Sequence, residues 1–76
     1  MTGLEFDTWA SENGTARERH TINTIDYVFV TMNDGWIAIL EATRGDYTPL
    51  IQAADMTHAL NYCVMREPVT VPLKAI

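Results

Sequence analysis

The stretch from Val28 to Leu40, VFVTMNDGWIAIL, is apolar at nearly every position on both sides of a turn tripeptide, Asn33-Asp34-Gly35. A strand sends successive side chains to opposite faces, so a sheet with one face in water needs apolar residues only at alternate positions. Here Tyr27, Phe29 and Thr31 point to one side and Val28, Val30 and Met32 to the other, and both sides carry apolar bulk. A fold built on this chain has to cover two faces of one hairpin.

The hairpin itself is well specified. Residues 25–32 and 36–43 are rich in β-branched and aromatic side chains, and the glycine between them can take a positive φ. A two-residue Asp34-Gly35 turn would pair Asn33 with Trp36, whereas a three-residue loop with Gly35 left-handed pairs Met32 with Trp36. The second register is favoured, because it sets two large apolar groups opposite each other, a cross-strand pairing worth roughly 0.2–1 kcal/mol.

One cover is legible downstream. Asp55 is a good N-cap, and Met56, Ala59, Leu60, Cys63 and Val64 follow as one apolar stripe, which predicts a helix over about 56–66. Residues 48–54 fit either a strand (about 47–53) or a helix opening at Thr48-Pro49; strand then helix is favoured, with Pro49 on an edge. Val69 and Val71 alternate with Thr70 between two prolines, which predicts a short C-terminal strand over about 69–73.

The second cover is less clear. Thr2-Gly3-Leu4-Glu5 has the spacing of a capping box, with Phe6, Trp9 and Ala10 behind it and Asn13-Gly14 as a stop, although LEFDTW also reads as a strand. A short N-terminal helix is favoured. Residues 15–23, TARERHTIN, are polar at almost every position and read as an exposed loop or the solvated start of the first long strand; residues 1–24 as a whole carry little sign of tight order. The expectation is a single α+β domain over 1–76, with a mainly antiparallel three- to four-stranded sheet and one helix packed on one face.

Composition limits the chemistry. Ten acidic residues against five basic ones give a formal charge of −5, with Lys74 the only lysine, which argues against a phosphate-binding surface built on counterion release. Direct nucleic-acid binding is not expected. The single cysteine excludes an intrachain disulfide. No basic-then-apolar leader pattern opens the sequence and no segment approaches the roughly 18 apolar residues of a membrane span, which predicts a cytoplasmic protein without membrane contact. Asn13-Gly14-Thr15 then reads as a turn rather than a glycosylation acceptor, and Arg44-Gly45-Asp46 as a turn rather than an adhesion motif.

No catalytic, metal or cofactor constellation emerges. His20, His58 and Cys63 share no metal-ligand spacing, and Cys63 fits a small buried hydrophobe while His58 fits a solvent-facing N3 position beside its cap. Ser11 has no partnered histidine in the sequence pattern, and no glycine-rich phosphate loop is present. Enzyme activity is therefore not expected, a small enzyme subunit being the weakest of the alternatives.

What remains is interaction. If the first dozen residues do not pack back, apolar surface on the hairpin stays open, and such patches mark interfaces. The candidate interface comprises the aromatics Trp9, Tyr27, Phe29, Trp36 and Tyr47, with the acids Asp34, Glu41 and Asp46. The strand running straight into a capped helix, Ile51-Gln52-Ala53-Ala54-Asp55 followed by Ala59, resembles a turn of many small α+β domains, short phage-encoded inhibitors of host machinery among them. That resemblance implies a protein of the host cytoplasm that occupies a partner protein's surface, a basic nucleic-acid-binding one being favoured by charge. The alternative is a homodimer that buries the second hairpin face.

Overall fold

The computed structural model describes residues 1–65 and the backbone of Val71–Pro72. The order is α1 (Gly3–Asn13), β1 (Gly14–Ile22), β2 (Ile25–Met32), β3 (Ile37–Thr43), β4 (Asp46–Ala53), α2 (Met56–Met65) and β5 (Val71–Pro72). The strands form one antiparallel sheet in the order β1-β2-β3-β4-β5, a meander of four long strands with a two-residue fifth. The expected α+β class is observed. Arg66, Val69, Thr70 and Leu73, which complete the expected α2 and C-terminal strand, lie outside the described residues.

The β2–β3 register follows the favoured pairing. Thr31 faces Ile37, Met32 N–H donates to the Trp36 carbonyl at 2.7 Å, and Gly35 has φ +92°. The two hairpin faces therefore separate as the alternation requires. Tyr27, Phe29, Ile37 and Ile39 form one buried cluster with Ala53 and the α2 residues Ala59 and Cys63. Val28, Val30, Ala38 and Leu40 form a second with Phe6 and Ala10 of α1. Each face has its own helix.

α1 begins where its capping box says. Thr2 Oγ1 accepts from Glu5 N–H at 3.2 Å and the Glu5 carboxylate accepts from Thr2 N–H at 2.8 Å, so two otherwise orphaned donors are satisfied. The helix ends at the expected Asn13-Gly14 stop. Gly14 is extended, at φ −120° and ψ 163°, and passes directly into β1. Leu4, inside the capping box, remains 79% exposed while Phe6 and Ala10 point inward.

α2 is capped by Asp55, whose Oδ1 accepts from His58 N–H at 2.9 Å and faces His58 Nδ1 at 2.8 Å. That places His58 exposed at N3 and Cys63 among the buried residues, as the sequence reading has it. Val64, the last residue of the stripe, turns outward at 53% exposure.

The donation from His58 N–H, then from its ring, holds the Asp55 carboxyl below its ordinary 3.8, and donation from Thr2 N–H, then Thr2 Oγ1, holds Glu5 below its ordinary 4.5. Folded carboxyls that bind protons more weakly than unfolded ones stabilise the fold fully above the ordinary values, and that contribution is lost as pH falls through the folded values. Thermal melts should therefore hold level down to about pH 4.5 and then decline, and the decline should be shallower in the double variant Glu5→Gln/Asp55→Asn. An unchanged decline would assign the effect to other acids.

β1 is the element that the sequence left open between loop and strand. It pairs with β2 along its whole length, Ala16 with Thr31 through Ile22 with Ile25, after a bulge beside Gly14. A two-residue turn, Asn23-Thr24, joins the two strands, with φ +52° and +66°. Both signs suit a type I′ turn, whose twist matches the strands, but the second position ordinarily takes glycine. A β-branched threonine there carries roughly 1–2 kcal/mol of left-handed strain. Thr24→Gly is expected to raise the unfolding free energy by about 1 kcal/mol in urea titration, after glycine's own backbone entropy is offset.

The β4 edge is covered in two pieces. Thr2 bridges to Asp46 and Tyr47 N–H donates to the Met1 carbonyl at one end, while Val71 and Pro72 face Gln52 and Ile51 at the other. No helix among the described residues is long and apolar enough to cross a membrane.

Candidate functional site

The eight interface candidates do not form one patch. Tyr27 and Phe29 are 0% and 2% exposed beneath α2, with the His20 ring 4.5 Å from that of Phe29, so neither is available to a partner. Both were candidates because alternation alone does not say which hairpin face the single legible helix takes. Tyr47 and Asp46 lie beside the N-terminus of α1, and Glu41 lies opposite Tyr27 on the α2 face. Trp9 packs half-buried against the second cluster.

Trp36 and Asp34 remain together at the β2–β3 turn. Asp34 Oδ1 accepts from Trp36 N–H at 3.0 Å, which fixes the approach of the indole-bearing residue to β3. Trp36 is half-buried and belongs to neither core cluster. Two further acids come to this end of the sheet. Asn33 donates through Nδ2 to the Glu12 carbonyl at 3.4 Å, and Asp55 follows Ala53, which pairs with Ile37. Among the described residues no arginine or lysine lies here: Arg17 and Arg19 are mid-strand in β1 and Arg44 is in the β3–β4 turn at the opposite end.

A second feature was not anticipated. α1 and β1 flank a groove of about 390 Å3, floored by Phe6, Val28 and Tyr47 and rimmed by Leu4, Arg17 and Arg19. Phe6 and Tyr47 stack with ring centroids 4.2 Å apart and planes 11° from parallel. Arg17 donates to Asp7 Oδ1 and to Ser11 Oγ and lies 5.4 Å from the Phe6 centroid. Arg19 donates to the Tyr47 hydroxyl at 2.7 Å, with its guanidinium 6.0 Å from that ring. The sequence signal for this groove was weak: Arg17 and Arg19 are spaced to share one strand face, but their partners come from α1 and β4.

His20 and His58 are placed on different elements, β1 and α2, and Ser11 is engaged by Arg17. No group of three or more metal-ligating side chains occurs among the described residues. Comparison with protein-family models, curated proteins and solved structures finds no match.

Proposed function

We propose that the chain is a small non-enzymatic protein-binding module that occupies a basic surface of its partner with the hairpin end around Trp36. The observation that supports this most is the placement of Trp36, half-buried, outside both cores and attached to an end that carries Glu12, Asp34 and Asp55. Tryptophan is among the residues that most often anchor an interface, and carboxylates around it favour a cationic partner through encounter rate and selectivity. The chain's formal −5 charge acts in the same direction. A nucleic-acid-binding protein of a host cell has the matching chemistry, which is the setting of a phage-type or mobile-element-type inhibitor.

The test is capture from the native host's lysate at low salt with the wild type, Trp36→Ala and Asp34→Asn side by side. A basic partner held by the wild type, weakened by added salt and by Asp34→Asn and lost with Trp36→Ala, is expected. Retention of the same proteins by Trp36→Ala would overturn the reading. Light scattering of the free chain is expected to give a mass near 8.6 kDa; a stable dimer would move the reading to self-association.

A further inference from the structure

We propose that the groove between α1 and β1 binds a small amphipathic monocarboxylate, with the carboxylate on the Arg19 guanidinium and the apolar part over Phe6 and Val28. The two arginines that rim it are in different electrostatic states. Arg17 is neutralised by Asp7 in a charge-assisted bond, whereas Arg19 has only a phenol hydroxyl and an aromatic ring for company among the described residues. Glu18 also lines the groove, but its carboxylate faces His20 Nε2 at 3.1 Å, so Arg19 is the groove's guanidinium without a described carboxylate partner, and its planar fork matches a carboxylate. A single positive charge selects a monoanion. A dianionic group would meet the two carboxylates that line the groove, Asp7 and Glu18, at short range, where bulk salt screens little.

The rest of the groove asks for an apolar group. Phe6 and Val28 belong to the second cluster, and Leu4 stands at the rim 79% exposed, packed into neither core. The volume of about 390 Å3 falls at the small end of the range for small-molecule sites. Tyr47 is the positioning residue: its backbone is fixed by β4 and its ring by the Phe6 stack, so its hydroxyl holds the guanidinium in place over the groove.

The experiment is an amide-resolved NMR titration of the full chain with 4-phenylbutyrate, its neutral counterpart 4-phenylbutyramide, and butyrate. Saturable shifts centred on Leu4, Arg19, Val28 and Tyr47 are expected, with the acid binding about tenfold more tightly than either the amide or butyrate. Arg19→Gln should remove the advantage of acid over amide; this exposed substitution is not expected to disturb the fold. Arg19→Lys should restore part of the advantage. Trp36→Ala should leave the titration as it is, which separates this site from the hairpin end. Equal affinity for acid and amide, an unchanged preference in Arg19→Gln, shifts centred elsewhere, or no saturation in the millimolar range would each overturn the proposal.

Discussion

Phe6→Ala should lower the unfolding free energy by about 3–5 kcal/mol, the range for removing a buried aromatic side chain. Phe6 is 4% exposed, sits in the second cluster and is stacked on Tyr47, so its loss removes transfer energy, leaves a cavity and breaks the aromatic contact together. Domains of this length have roughly 4–11 kcal/mol in all, scaling at about 0.05–0.15 kcal/mol per residue. The substitution therefore takes a large share of the total. α1 has no other large inward-facing side chain, since Ala10 is small, Leu4 is exposed and Trp9 is only half-buried. The measurement is urea unfolding followed by Trp9 fluorescence in a Trp36→Phe background, where the folded emission should also shift to the red. A loss below about 1 kcal/mol would mean that α1 contributes little to covering Val28, Val30, Ala38 and Leu40.

Gly14→Ala is expected to cost about 3 kcal/mol, at the upper end of the usual range for overpacking. The backbone at Gly14 is ordinary extended chain that any residue adopts, so the cost is one of space. A Cβ there would lie 2.5 Å from Val30 Cγ1 and 3.1 Å from the carbonyl oxygens of both Ala10 and Thr31. Two of the three neighbours are backbone and cannot rotate away. The third can be removed, so Gly14→Ala and Val30→Ala together should destabilise less than the sum of the single changes, by about 1 kcal/mol. Thermal or urea melts of the four proteins close this cycle, and additive costs would place the strain at the two carbonyls rather than at Val30.

These two positions also show where sequence reading reaches and where it stops. The hairpin and its register were legible because the evidence is local: Gly35 supplies the positive φ, and Met32 opposite Trp36 is a better pair than Asn33 opposite Trp36. α2 was legible for the same reason, from Asp55 and a stripe spaced for one helix face. β1 was not, because Thr15 to Arg19 are exposed and show no apolar alternation. What holds β1 is its backbone ladder to β2 and the contacts of Arg17 with Asp7 and Arg19 with Tyr47, across 10 and 28 residues of chain. The role of Gly14 was hidden likewise, since Asn13-Gly14 reads as a helix stop and nothing local shows Val30 pressing on it. Among the interface candidates, Trp36 and Asp34 stayed together because they are neighbours on one turn; Tyr27 and Phe29 were lost to the core because alternation sorts residues into faces without saying which face meets α2.

The coverage of β4 limits how copies of this chain can join. Growth of a continuous sheet through many molecules needs two open edges on every one, a donor side and an acceptor side. Met1 with Thr2 and Val71 with Pro72 already occupy the two ends of β4's outer side, so among the described strands β1 offers the longest run of backbone groups to a neighbour. Two copies can meet there edge to edge. Strand addition is thus biased toward a pair joined through β1, because the partly covered β4 gives a third copy little backbone to take up.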